Sequence, residues 1–144
     1  MKRNAGLALL AAIAAAALGA SAGASASTVK LPKTLTTPTG NRITLYAYDA
    51  PTSRSDIASA QVEVCTSAHT PKDSGVDPYF FMLKLTNGTA LPITHAAHQP
   101  ALALAPLAAS QCSIKGWVSF DVPKSDKVAA LDYSYHGTIS WPLA

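Results

Sequence analysis

Gln111-Cys112-Ser113-Ile114-Lys115-Gly116-Trp117-Val118-Ser119-Phe120-Asp121-Val122-Pro123 is the stretch from which the fold class is read. Ile114, Val118, Phe120 and Val122 fall on alternate positions, the period of a strand with one face in a core. Pro123 removes a ladder donor and closes that strand. Cys112 sits just upstream, and the single other cysteine of the chain is Cys65. The run therefore sets a strand, its end, and a covalent tie to an earlier strand.

The tie depends on the compartment, which is read at the other end of the chain. Lys2 and Arg3 form a short basic start, Leu7 to Leu18 is apolar and uncharged, and Ala24-Ser25-Ala26 is an A-x-A cleavage signal. Residues 1–26 thus read as a secretory signal peptide, with Ser27 the first mature residue. An anchor is the weaker reading, because the run is alanine-dominated and short of the ~20 strongly apolar residues of a span. No cysteine precedes Cys65, so no lipid-modified N-terminal cysteine is expected. The mature protein is expected to be secreted, extracellular, and without a membrane anchor after cleavage.

Two cysteines in an exported chain imply one disulfide. Cys65 and Cys112 are 47 residues apart, and a loop of that size gives about 4 kcal/mol in the chain-entropy account. Cleavage also removes two of the eleven basic side chains, leaving nine against eight acidic ones. No cluster of Lys or Arg remains, so neither nucleic acid nor an anionic membrane is expected as a partner. The remaining chain of about 118 residues is long enough for one domain with a modest core.

Residues 27–41 read as an extended N-terminal arm or first edge strand, leading to a turn at Gly40-Asn41. Arg42 to Asp49 alternates, with Ile43, Leu45 and Ala47 on one side and Thr44, Tyr46 and Tyr48 on the other. Ile57 to Thr66 alternates as well: Ala58, Ala60, Val62 and Val64 form the apolar face, and Cys65 belongs to the opposite one. Its bridge should then lie at a sheet surface or rim. Tyr79 to Leu85 predicts a strand with Tyr79, Phe81, Leu83 and Leu85 inward. Asn87-Gly88 is the strongest hairpin signal, leading to Ala90–Thr94. His95 to Gln111, interrupted by Pro100 and Pro106, reads as a long loop. Val128 to Tyr135 and Thr138 to Trp141 are the last strands. About seven short strands and no convincing mature helix predict, over residues 42–144, an all-β antiparallel sandwich with immunoglobulin-like topology.

At Gly116-Trp117-Val118-Ser119-Phe120-Asp121-Val122-Pro123, with a tyrosine-bearing strand and a tryptophan near the C-terminus, the chain resembles a known family. It is similar to actinobacterial secreted immunoglobulin-like domains, the group that includes the mycobacterial immunoprotective antigen. Val62-Glu63-Val64-Cys65 resembles that family's earlier cysteine strand, whose cysteine pairs with the one before the Gly-Trp-Val strand. The resemblance spans roughly Arg42 to Leu143. It implies a small secreted sandwich, many of whose relatives are exported domains of unknown function, with no catalytic residues to carry over.

For chemistry, the residues offer little. No G-x-S-x-G elbow is present, the cysteines are expected to be oxidised, and Glu63 is the sole glutamate, without an obvious carboxylate partner. No cofactor is expected. His95-Ala96-Ala97-His98 would bring two imidazoles toward one ion on a helical turn, with His69 as a possible third ligand. The segment holds no acidic or cysteine ligand, so these histidines read better as polar loop residues. Recognition is the favoured reading: Trp117, Tyr46, Tyr48, Phe80 and Met82 lie on faces opposite the inferred core and would form a surface for a protein or cell-surface partner. The chain is accordingly expected to be a non-catalytic binding module. The competing reading is a small secreted hydrolase or metal-binding protein using the His-containing loops.

Overall fold

Among the described residues the backbone forms ten strands. They are β1 (Lys33–Thr36), β2 (Arg42–Asp49), β3 (Ile57–Cys65), β4 (Gly75–Val76) and β5 (Phe81–Leu85). Then follow β6 (Ala90–Pro92), β7 (Ala105–Pro106), β8 (Gly116–Asp121), β9 (Val128–Ser134) and β10 (Thr138–Pro142). The structure, a computed structural model, describes residues 29–70 and 74–144. The signal peptide read over 1–26 lies outside the described residues, as do positions 27–28 and 71–73.

One sheet runs β1-β2-β3-β8 and a second β10-β9-β5-β6, with β4 and β7 as a separate two-stranded ribbon. Every strand pair is antiparallel. The protein is all-β, its only described helical piece a 3₁₀ turn at Pro78–Phe80. Lys33–Thr36, read as part of an arm or a first edge strand, pairs with Arg42–Leu45 through a turn in which Gly40 has φ 87°. That left-handed conformation is the reason a glycine stands there.

The buried faces of the two sheets form one apolar cluster. β2, β3 and β8 contribute Ile43, Leu45, Ala58, Ala60, Val62, Val64, Val118 and Phe120; β5, β9 and β10 contribute Phe81, Leu83, Leu85, Leu131, Tyr133 and Trp141. Period-two alternation selects this set, since every second side chain of a strand faces the same way. Tyr79, expected inward, is instead 72% exposed. Asp77 Oδ1 accepts from the Tyr79 amide at 2.9 Å, and this cap with Pro78 starts the 3₁₀ turn just before β5, breaking the strand phase.

In the first sheet, two one-residue irregularities decide which side chains leave the core. Leu45 faces Val62 but Ala47 faces Gln61, so Tyr46 is an extra residue in β2. On the other side of β3, Val62 faces Gly116 whereas Cys65 faces Cys112. Two residues on β3 thus oppose three on the incoming chain, and the surplus lies within 113–115. A bulge of this kind reverses the side-chain phase beyond it. It brings Cys112 opposite Cys65 and turns Ile114, expected inward, out to 64% exposure.

The 94–102 segment, read as loop from His95 onward, closes the free edge of β8. Thr94 N donates to Ser119 O (2.8 Å), Trp117 N to Pro100 O (2.9 Å) and Leu102 N to Trp117 O (2.9 Å). An edge covered in this way is withdrawn from pairing with other chains. Gly116 permits the approach: a Cβ there would lie 2.5 Å from Leu102 Cα. Gly116→Ala is expected to cost about 1–3 kcal/mol by this overpacking. A thermal melt identical to the parent's would mean the segment does not rest on β8.

Candidate functional site

On the outward face of the first sheet, Tyr46 and Trp117 make polar and ring contacts outside the core. The bulge at Tyr46 aims its phenol outward, where its hydroxyl donates to Glu63 Oε2 at 3.0 Å. Lys115 Nζ sits 3.8 Å from the Tyr46 ring centroid, a cation–π contact. Partial burial, and then the Glu63 carboxylate, hold the Tyr46 phenol above its ordinary value of 10.0. Next along the sheet, Gln61 pairs with Trp117 in register.

Trp117 alternates with buried Val118 and is half-buried on this outer side. His98 lies against its ring at a centroid distance of 4.4 Å and an angle of 36°. His98 Nε2 is 3.1 Å from Asp49 Oδ2, both side chains being about half exposed. A pair that open to water is worth roughly 0–1 kcal/mol, so its consequence is to position the imidazole. Below the crossing segment, Ser59 and Ser119 hydroxyls meet at 2.9 Å, and Ala97 N donates to Ser119 Oγ at 3.1 Å. Those two buried serines are therefore satisfied.

The five side chains expected as a partner surface do not lie on one face. Trp117 and Tyr46 share the outer side of the first sheet. Tyr48 does not: beyond the bulge it faces Ala60 and packs on the core. Phe80, in the 3₁₀ turn, also packs on the core, its ring 4.8 Å from Tyr135 and 6.0 Å from Tyr133. Met82 sits on the outer side of the second sheet, across from Asp132 and Pro92.

Tyr48 has a measurable signature. Its hydroxyl is buried with no hydrogen-bond partner among the described residues, and burial pushes its pKa up to about 12. Tyr133 is likewise raised to about 12, first by burial. A folded pKa above the unfolded value of ~10 leaves stability intact below pH 10 and removes it as pH rises toward 12, because the unfolded chain releases its proton first. Tyr48→Phe is expected to gain about 1 kcal/mol by deleting the orphaned hydroxyl, and to soften the alkaline loss. Melts of both proteins at intervals from pH 8 to 12 test this; a destabilised variant would show that the hydroxyl has a partner.

His69 and His95 line different clefts. His69 lines an end cleft of about 440 Å³ with Asn41, Thr70, Tyr135 and His136. His95 lines a different groove, of about 400 Å³, with Tyr79, Ile93, Leu102, Leu104 and Trp117. Among the described residues, the one set of three potential ligands drawn together is Glu63, Cys65 and Cys112, with ligand atoms within 4.8 Å of one another. Neither His136 nor Glu63 stood out in the sequence as a site residue; a turn histidine and a mid-strand glutamate carry no motif.

Cys65 and Cys112 are bonded, with an S–S distance of 2.04 Å. Both cysteines belong to the first sheet and its extension, Cys65 buried and Cys112 exposed, so the bridge is at the sheet's rim. No helix among the described residues is long and apolar enough to cross a membrane. Fold and site together define an antiparallel two-sheet β protein with one rim disulfide and a mixed aromatic and polar outer face. Compared with protein-family models, curated proteins and solved structures, the chain matches none.

Proposed function

We propose that the chain is an exported immunoglobulin-like β-sandwich of the actinobacterial secreted type, acting by binding a protein or cell-surface partner rather than by catalysis. Its contact surface is the outer face of the first sheet, centred on Trp117 and Tyr46. The observation that carries this reading is the outward Trp117, held by His98 and flanked by Gln61, Tyr46 and Lys115. Half-exposed aromatics ringed by polar groups are the side chains that dominate binding energy in known interfaces. Support for export comes from the three-part N-terminal pattern and from the disulfide.

The hydrolase alternative has less to draw on. The Asp49–His98 pair resembles two-thirds of a triad, but Ser119 Oγ is committed to Ser59 and the Ala97 amide. The test is retention of the immobilised mature protein on an envelope fraction of the organism that makes it. Trp117→Ala is expected to reduce retention tenfold or more, the scale of an interface hot spot, while Met82→Ala on the opposite sheet leaves it unchanged. Equal retention of parent and Trp117→Ala would end the proposal.

A further inference from the structure

Glu63, Cys65 and Cys112 are placed as a metal triad whose sulfurs happen to be joined. The carboxylate Oε2 lies 3.9 Å from Cys65 Sγ. What decides whether the three stay together without the S–S bond is the backbone around them. Thr66 N donates to Gln111 O at 2.8 Å, and Gln111 N to Thr66 Oγ1 at 3.0 Å. On the other side, Ser113 N donates to Val64 O at 2.8 Å, and Val64 N to Ser113 Oγ at 3.1 Å. The two strand segments are thus clamped immediately before and after the cysteines by bonds that do not involve sulfur. Cys112 is exposed, so a reductant and an ion can both reach the site.

We infer that the reduced protein binds a thiophilic divalent cation of the zinc class through Cys65 Sγ, Cys112 Sγ and a Glu63 oxygen, making the disulfide the closed state of a redox-gated metal site. Opening requires a dithiol: its two sulfurs become joined, the Cys65–Cys112 bond breaks, and two electrons and two protons pass to the cysteines. The cation then displaces the two thiol protons, since thiolate is the ligating form. Zinc–sulfur bonds of ~2.3 Å set tetrahedral sulfurs about 3.8 Å apart, a separation reached by side-chain rotation within the clamped frame. Glu63 supplies the harder third ligand and water the fourth position. Tyr46 already donates to Glu63 Oε2 at 3.0 Å, the outer hydrogen bond that orients ligating carboxylates.

The experiment titrates cobalt(II) into the full mature protein before and after reduction by a trialkylphosphine, which takes up the oxygen of water. The reduced protein is expected to keep its strand circular dichroism and to develop a thiolate-to-cobalt charge-transfer band saturating at one ion per chain, bleached by zinc. The oxidised protein and a Cys65→Ser/Cys112→Ser double variant should show no such band. Glu63→Gln, whose amide oxygen still accepts from Tyr46, should weaken cobalt binding by about tenfold to a hundredfold. A cobalt spectrum without the charge-transfer band overturns the proposal, pointing to exposed histidines. So does an unchanged affinity in Glu63→Gln, or loss of strand signal on reduction, because each removes a part the site needs.

Discussion

Trp141→Ala is expected to lower stability by about 3–5 kcal/mol, the largest effect of any single truncation in this protein. Trp141 is fully buried and heads the buried side chains by size. Its indole also donates from Nε1 to Lys33 O at 3.0 Å, joining the last strand of one sheet to the edge strand of the other. Truncation opens a cavity and leaves that carbonyl without its partner, so the transfer, void and hydrogen-bond losses fall together. Against a total of roughly 5–15 kcal/mol for a domain, the variant should sit near its folding limit at growth temperature.

The other tryptophan provides the contrast. Trp117 is half-buried and outward, and its main defined ring contact is His98. An aromatic pair of that kind is worth about 0.5–1.5 kcal/mol, so Trp117→Ala should cost no more than that. Urea melts of the two variants side by side separate the assignments. Comparable losses at both positions would place Trp117 in the core and remove it from the proposed contact face.

Removing the disulfide is the second large effect. Cys65→Ala/Cys112→Ala should lower stability by about 4 kcal/mol, because the bridge closes 47 residues of chain and its absence restores the entropy of that loop to the unfolded state. The native state loses little, since the flanking bonds between 64–66 and 111–113 persist. Adding reductant should reproduce the same drop in the parent's melting temperature and leave the double variant's untouched. A double variant as stable as the parent would show that the unfolded chain is already ordered across this loop.

Much of the architecture was legible because alternation is a strong signal. Ala58, Ala60, Val62 and Val64, and Phe81, Leu83 and Leu85, are read inward from period two alone and are buried. The outer phase of Trp117 follows from the same count, given buried Val118. Two of the misread positions, Tyr48 and Ile114, share one cause. A bulge adds a residue without a compositional mark, and the one at Tyr46 turns Tyr48 into the core although the pattern places both on one side. The second, within 113–115, explains why Ile114 is exposed and how Cys112 meets Cys65, whose strand phases otherwise disagree. Phe80 and Tyr79 are misread where Asp77 and Pro78 start a 3₁₀ turn in place of a strand. The crossing of 94–102 over β8 was invisible for a different reason: the bonds that lay it along the strand, at Thr94, Pro100 and Leu102, are between backbone groups, and side-chain identity says little about those.

Hydrogen–deuterium exchange of the mature protein, with and without a solubilised envelope fraction, reads the contact face directly. Binding through the outer side of the first sheet should slow exchange in peptides from Arg42–Asp49, Ile57–Cys65 and Gly116–Asp121 and leave Phe81–Leu85 and Val128–Ser134 unaltered. Protection confined to the second sheet, or to the end cleft at His69 and His136, would contradict the account.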